Sequence, residues 1–449
     1  MEDVVEQKLT ENFYRVNNID PEIYKQYNVK RGLRNEDGTG VIAGLTNISR
    51  VHGYLMDDGV KTADDGLLSF RGYDLYDLVN DPSPNHRYNF EEVAYLLVMG
   101  ELPTQSQLDF FISALDAERD LPDGFTQTIL LPQHRPDIMN VLSRSIMMLY
   151  SRDAQAEERS FRHEMRTAVS LLSRLPRIMV LSHYAMRHRY FNESFIMHPF
   201  IPGQSTAETI LSMLRPDRQF TAEEARMLDI MLCLHAEHGG GNNSTFTVRV
   251  MSSADTDPYS VYGAALGSLK GLRHGGANRQ VLAMQCDVKE HVSNWENEDE
   301  VADYLAKIVR KEAFDKTGLI YGMGHAVYTK SDPRAVILKR FASRLAQGSE
   351  FEAEYKLLET IERVSPEVIL REKGTKKDMC ANVDMYSGFV YHMLGIPEVL
   401  YTPLFACGRM AGWAAHRFEE IVSGRRIIRP AYTTTFHGVK PYVAIEDRQ

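Results

Sequence analysis

Three histidines of this chain each stand beside glycines at the edge of a predicted helix. His238 precedes three glycines in "LHAEHGGGNNSTFTVRV", His274 opens "HGGAN", and His325 lies within "GMGHAVYTKSDPRA". Because glycine has no Cβ, it lets a ligand or another backbone segment come close to each imidazole. Histidine can transfer protons near neutral pH and can donate a hydrogen bond to a keto or enol oxygen. The three stretches therefore indicate carbonyl chemistry with proton transfer.

Arginines and one aspartate accompany the histidines. Arg334 lies in "SDPRA", where Asp332 can cap a helix and Pro333 fits its first turn. Arg409 lies in "CGRMAGWAAH", near a predicted helix start, and Asp384 in "NVDMYSG" is the only candidate base in these motifs. Arginine binds carboxylates through two parallel hydrogen bonds. The set predicts a site for a small acid with several negative charges.

Two other interpretations of these stretches are weaker. His235 and His238 share a helix face, but "HAEH" is not the HExxH zinc motif and no third ligand follows. The "GMG" stretch lacks a preceding strand and the third glycine of a dinucleotide fingerprint. We therefore predict no metal site, and we expect His235 and Glu237 to be structural support.

The composition sets broad limits. The chain has 449 residues, of which 43% are hydrophobic and 25% charged, as in a soluble globular protein of two domains or one large domain. The net charge of −10 argues against nucleic acid as the main partner. No apolar run is long enough to cross a membrane and the N-terminus resembles no targeting signal, so we expect no membrane partner and a cytoplasmic location. The cysteines form no CxxC pair and predict buried free thiols: Cys233, Cys286, Cys380 and Cys407.

The pattern of apolar residues predicts an all-α fold. Residues 1–65 look polar and irregular, and helical periodicity dominates from about residue 66. The only strand candidates are modest and lie near the end, at 425–432 and 442–445. Predicted helices include 89–103, 165–189, 204–214, 221–238, 258–271, 276–285, 298–313, 333–346, 351–363, 382–394 and 404–423.

The order of the motifs closely resembles the citrate synthase family. The motifs are "HAEHGGGNNSTF", "HGGAN", "GMGHAVYTKSDPRA", "NVDMYSG", "GRMAGWAAH" and "IIRP". The resemblance is strong from about 228 to 430 and extends more weakly through "LLSFRGYDLYDL" and "EEVAYLLVMGELPT". It implies a helical homodimer whose site lies in a cleft between two domains. The implied division is an N-terminal extension 1–60, a large domain 61–278 and 387–449, and a small domain 279–386.

The resemblance also implies a role for each matching residue. The catalytic residues would be His274, His325 and Asp384. Oxaloacetate or citrate would be bound by His238, His274, His325, Arg334, Arg409 and, from the other subunit, Arg429. CoA would contact Gly322, Gly324, Lys376, Lys377 and Asn382. Thr329 stands where some family members carry a basic residue that helps to bind CoA, and Lys330 is another candidate for that charge.

The implied reaction joins acetyl-CoA, oxaloacetate and water into citrate and CoA, without metal or cofactor. Asp384 would remove the methyl proton, while a neutral His274, at the start of the helix that follows it, would donate to the thioester oxygen. The nearest alternative is a 2-methylcitrate synthase, because one methylene of propionyl-CoA changes selectivity by only about 1–3 kcal/mol. An inactive relative that only binds ligands is disfavoured by the complete His, Asp and Arg set, and a histidine-based metal hydrolase by its ligand spacing.

Overall fold

A computed structural model describes residues 2–16, 19–80, 88–132, 135–272, 274–374, 378–424, 426–435 and 438–448. These residues are mostly helical, as predicted, with one small antiparallel sheet. In chain order the first elements are α1 (Glu2–Val16), α2 (Pro21–Gln26), β1 (Ser49–Asp57), β2 (Val60–Phe70), β3 (Tyr73–Asp74), α3 (Leu75–Val79), α4 (Phe90–Met99), α5 (Gln105–Glu118), α6 (Ile138–Tyr150), α7 (Phe161–Phe191) and α8 (Thr206–Leu214). They are followed by α9 (Ala222–Ala236), α10 (Asn243–Ser253), α11 (Pro258–Leu269), α12 (Ala277–His291), α13 (Glu298–Val309), α14 (Pro333–Ala346), α15 (Glu352–Lys373), α16 (Asp384–Met393) and α17 (Tyr401–Glu419).

Helix α17 is the centre of the larger group of helices and is buried along almost its whole length. It packs against α4, α7, α9 and α10. Two glycines one turn apart allow its backbone to touch α9, since a Cβ on Gly408 would lie 2.8 Å from the Leu232 oxygen and one on Gly412 would overlap the Ala236 oxygen. The close approach brings Arg409, in the middle of α17, against the end of α9. The predicted start of this helix at 404 was too late, because Tyr401 begins it.

A second group is formed by α12 to α16, in which α13 packs on α15, and both α12 and α14 pack on α16. Helix α14 begins as its sequence predicts: the Asp332 carboxylate accepts from the Arg334 backbone N–H at 3.0 Å, and Pro333 occupies the first turn. The predicted domain boundaries at 278/279 and 386/387 stay a prediction.

The strand predictions were wrong at both ends of the chain. The expected irregular region contains β1 and most of β2, which pair antiparallel from Ser49 opposite Phe70 to Asp57 opposite Val60. Charged and glycine residues in "VKTADDGLLSF" hide the alternation that marks a half-buried strand. The described parts of 425–432 and 442–445 form no strand. A strand needs a hydrogen-bonded partner, which β-branched composition alone does not supply.

The cysteine prediction holds for three of the four thiols. Cys233, Cys380 and Cys407 are free and buried, whereas Cys286 is free and exposed. Cys286 lies on α12, which buries Val281, Met284 and Val288 on another face. No helix in the described ranges is long and apolar enough to span a membrane.

Candidate active site

Six of the predicted site residues come from six different places in the chain and lie around one cluster. His238 follows α9, His274 precedes α12, and His325 lies in the loop before α14. The remaining three are Arg334 in the first turn of α14, Asp384 at the start of α16, and Arg409. The rings of His238 and His325 lie 5.0 Å apart, and the charge of Arg334 affects the titration of both.

His325 is held as a neutral hydrogen-bond donor. Its Nδ1 accepts from the backbone N–H groups of Val327 at 3.0 Å and Tyr328 at 3.2 Å, so this nitrogen carries no proton. The Tyr328 ring stacks on the imidazole with centroids 4.6 Å apart. Burial, reinforced by the nearby Arg334 charge, lowers the pKa of His325 to about 4. The remaining Nε2–H is therefore free to point at a substrate oxygen.

His274 is also neutral, with the opposite tautomer. Its Nε2 accepts from the Ser244 backbone N–H at 3.2 Å and lies 2.9 Å from the Ser244 hydroxyl, which leaves the proton on Nδ1. Burial lowers the pKa of His274 to about 4, and the Arg409 charge adds to the effect. A helix N-terminus does face this imidazole, but it is that of α10, whose first turn carries the bonded N–H, and not that of the helix after His274, as we expected. Helix α12, which follows His274 in sequence, begins only at Ala277.

His238 completes the group of neutral imidazoles. Its Nε2 lies 3.2 Å from the Tyr328 hydroxyl, and burial together with Arg334 holds its pKa well below the usual value. The loop that carries it is fixed by Glu237, whose Oε1 accepts from the Gly239 N–H, from the Ser49 hydroxyl at 2.9 Å and from His416 Nε2 at 2.9 Å. The His416 interaction contributes to a Glu237 pKa of about 2, although burial opposes it. Glu237 thus has the supporting role that we expected.

The two buried arginines differ in their partners. Arg334 forms two contacts with Asp332, Nε to Oδ1 at 3.1 Å and Nη2 to Oδ2 at 2.8 Å. Arg409 donates from Nε to the carbonyl of His235 at 2.6 Å, while its buried Nη2 has no hydrogen-bond partner. Burial lowers the pKa of Arg409 to about 10, even though the Glu237 charge opposes the shift. An unpaired buried guanidinium is suited to receive an anionic ligand.

Asp384 is an acid whose surroundings favour proton uptake. Burial raises its pKa to about 6, with the Arg334 charge opposing and the Asp332 charge reinforcing the shift. Its backbone N–H donates to Asn382 Oδ1 at 2.9 Å, and Asn382 Nδ2 donates to the Gly324 carbonyl at 2.8 Å. The Asn382 N–H also donates to the Gly322 carbonyl at 2.9 Å. Asn382 therefore ties α16, which begins at Asp384, to the loop that leads to His325.

Three further predicted residues are not seen in the cluster for different reasons, two because they are not described and one because it is exposed elsewhere. Lys376 and Lys377 lie outside the described residues. Arg429 is exposed, and its neighbour Ile428 donates a backbone hydrogen bond to Ser253. Ser253 is the last residue of α10, whereas Ser244, which contacts His274, lies in the first turn of the same helix. At a helical rise of ~1.5 Å per residue the two serines are about 13 Å apart, so the segment of Arg429 contacts the end of α10 that is remote from His274.

Sequence reasoning did not single out Ser244, Tyr328 or His416. Ser244 and Tyr328 lie inside motifs that were recognised, and Asn242 before Ser244 is a typical helix cap, so a helix start near a histidine could have been noticed. The Trp413 indole also donates to the Ser244 hydroxyl at 3.2 Å. His416 meets Glu237 across 179 residues of sequence, and no local pattern indicates that contact.

A family profile described as citrate synthase, C-terminal domain, matches residues 35–431. The chain belongs to the citrate synthase family. It is 34% identical to the citrate synthase of Haloferax volcanii over 94% of this chain and 99% of that protein. It is 33% identical to the 2-methylcitrate synthase of Shewanella oneidensis over 83% of this chain and 89% of that protein. The structure of citrate synthase from Thermotoga maritima superposes with a TM-score of 0.73 at 27% identity, covering 94% of this chain and 99% of that one.

Membership of this family agrees with the charges of the site. Burial and the charge of Arg334, Arg409 or both lower the pKa of each of the three imidazoles, and the Arg334 charge also acts on the Asp384 carboxyl. In the described ranges, no three His, Cys, Asp or Glu side chains come together as metal ligands. The arrangement can bind a dianion, polarise its carbonyl and remove a proton from a neighbouring carbon acid.

Proposed function

We propose that the protein condenses acetyl-CoA with oxaloacetate and water to give citrate and CoA. The observation that carries the proposal is the pair of buried cations, Arg334 and the unpaired Arg409, beside the neutral His238 and His325. Two cations match the two carboxylates of oxaloacetate, and Nε2–H of His325 matches its ketone oxygen.

Asp384 acts as the base for the methyl group of acetyl-CoA. Burial keeps its carboxylate poorly hydrated, which favours proton uptake, while a pKa of about 6 leaves it ionised near neutral pH. Nδ1–H of His274 donates to the thioester oxygen and stabilises the enol that forms. The enol carbon attacks the ketone carbon of oxaloacetate, whose oxygen takes the Nε2 proton of His325. The proton that Asp384 removed from the methyl group then returns to His325, so both groups regain their starting states. Water then cleaves the citryl thioester and releases CoA, citrate and a proton.

The thioester is held beside the two loops that lead to His325 and to Asp384. Gly322 and Gly324 both have φ of +83°, a conformation that favours glycine, and Asn382 links them to the base. Lys376, Lys377 and the exposed Lys330 are close in sequence to these loops and supply the positive charge for CoA phosphates. The step needs no metal ion or cofactor, so a chelator leaves activity unchanged.

The protein acts as a homodimer that shares Arg429 between subunits. The described residues of 426–448 form no α-helix and leave large apolar side chains in solvent, with Tyr432 96% and Tyr442 86% exposed. A groove between α6 and α11 is lined by apolar side chains that include Ile129, Met147 and Met148. Exposed apolar surface of this kind is typical of a protein–protein contact.

The activity is tested by following the CoA thiol released from acetyl-CoA and from propionyl-CoA, each with oxaloacetate, with and without a chelator. A higher kcat/KM for acetyl-CoA supports citrate synthase, and a higher value for propionyl-CoA supports 2-methylcitrate synthase. If neither thioester releases CoA, the proposal is contradicted, and the remaining alternative is an inactive relative that only binds ligands. Loss of activity with chelator contradicts the metal-free step.

Mixed dimers test Arg429. Arg429→Ala and Asp384→Asn chains are each expected to be inactive as homodimers. Mixed together after subunit exchange, they regain activity, because one site of each hybrid then has Asp384 from one subunit and Arg429 from the other. No recovery, although hybrids form, contradicts a shared arginine.

A further inference from the structure

The two antiparallel strands β1 and β2 form a ribbon. This ribbon touches both the loop that carries His238 and the loop that carries His325. At one end, the Ser49 hydroxyl donates to Glu237, which holds the loop of His238. A Cβ on Gly239 would lie 3.1 Å from the Val51 side chain, so this loop rests directly on β1. Farther along, the ribbon meets residues 327–331, the segment between His325 and Arg334.

The second contact is made by backbone against backbone. A Cβ on Gly53 would lie 2.6 Å from the Tyr328 Cα and 2.9 Å from the Val327 oxygen. A Cβ on Gly66 would overlap the carbonyl of Ser331. Only glycine allows such close packing, because any other side chain would push the loop away. The ribbon is irregular at this place, with its register shifted between His52 and Tyr54.

Two hydroxyls then fasten the loop to the ribbon. Thr329, which is 9% exposed, donates to the Gly53 carbonyl and accepts from the Asp64 N–H at 3.1 Å. The Ser331 hydroxyl accepts from the Gly66 N–H at 3.0 Å. Thr329 is therefore turned toward the ribbon, while the next residue, Lys330, is exposed.

We infer that the ribbon sets the separation of His238 and His325, and that Thr329 and Ser331 are positioning residues for oxaloacetate. The inference rests on the proposed function. It gives Thr329 a different task from the basic residue that some family members have at this position, since a buried hydroxyl bonded to β1 and β2 does not reach a CoA phosphate. The ribbon contacts loops on both sides of the predicted boundary at 278/279, so it links the segment of His238 directly to that of His325.

The test measures both Michaelis constants of Thr329→Val, which removes the hydroxyl at nearly constant volume. The KM for oxaloacetate rises about tenfold, while the KM for acetyl-CoA stays within about twofold of wild type. Thr329→Ser keeps the hydroxyl and restores the oxaloacetate KM. Thr62→Val makes the same chemical change at an exposed position of the ribbon and serves as the matched control.

Three results overturn the inference: unchanged KM values, a rise confined to acetyl-CoA, or a lower Tm with an unchanged oxaloacetate KM. If wild type binds oxaloacetate by calorimetry but releases no CoA, the proposed function fails, and the Kd of Thr329→Val still decides the inference. If wild type does not bind oxaloacetate, both fail. Ser331→Ala is a second variant at the same contact, with the same expected direction.

Discussion

Arg334 and Arg409 are buried guanidinium groups of one site with opposite surroundings. Arg334 is paired with Asp332 by two contacts. Burial lowers the pKa of Arg334, but the charge and hydrogen bonds of Asp332, together with Tyr328 and Asp384, outweigh it and raise the pKa. Arg409 donates to a carbonyl and leaves Nη2 without a partner, and burial lowers its pKa. Glu237, the carboxylate that opposes this shift, is already bonded to His416 and Ser49. The difference teaches that the fold already supplies Arg334 with one carboxylate partner, whereas Arg409 receives its first carboxylate from a substrate.

The largest expected effect is the loss of turnover on removing the base, which should leave substrate binding by both arginines intact. Asp384→Asn keeps the shape of the side chain but removes the base, so kcat falls by about 10²–10⁴-fold while the Kd for oxaloacetate is unchanged. Steady-state assays measure kcat, and calorimetry measures the Kd for oxaloacetate. Normal turnover by this variant removes Asp384 from the role of base.

The stability of the empty protein is the direct test of the comparison. Arg334→Met leaves the buried Asp332 carboxylate unpaired and lowers the free energy of unfolding by about 3–5 kcal/mol. Arg409→Met removes a cation that has no carboxylate partner, so the loss is much smaller. Urea denaturation without ligand measures both. Equal losses would mean that the two arginines do not differ as their contacts indicate.

The main effect of Arg409→Met is expected on the binding of oxaloacetate. Removal of the cation that receives a carboxylate weakens oxaloacetate binding by about 2–4 kcal/mol, or roughly 30- to 1000-fold in Kd. Oxaloacetate also raises the Tm of wild type more than that of the variant. Unchanged affinity would exclude Arg409 as a carboxylate ligand.

The smallest expected effect is the pH dependence of the acetyl-CoA step. Asp384 must be ionised to act as a base, and its pKa of about 6 predicts that activity falls about tenfold per pH unit below that value. His274 and His325, with pKa values of about 4, stay neutral at pH 5 and do not add to the loss. The kcat/KM for acetyl-CoA at saturating oxaloacetate gives the profile. Constant activity down to pH 5 contradicts this assignment of the base.

Several parts of the site could be predicted because the information is local. Gly-flanked histidines, the Asp332–Pro333 helix start and the family motifs depend only on residue types and short spacings. The errors arose where the partner is distant in sequence. Cys286 lies on a helix that was recognised, but its exposure depends on which face of that helix meets another helix. The β1–β2 pairing escaped notice because its charged residues obscure the strand pattern.

The sequence by itself determined the helical class, the family and the residue types available for chemistry. Tertiary structure decided the state of each group. The Ser244 and Val327 N–H groups give His274 and His325 opposite tautomers, and burial sets a pKa of about 6 for Asp384 and about 10 for Arg409. The reason is physical: protonation and hydrogen bonding depend on the solvent that packing removes and on the partners that it brings close, and segments far apart in the chain create both.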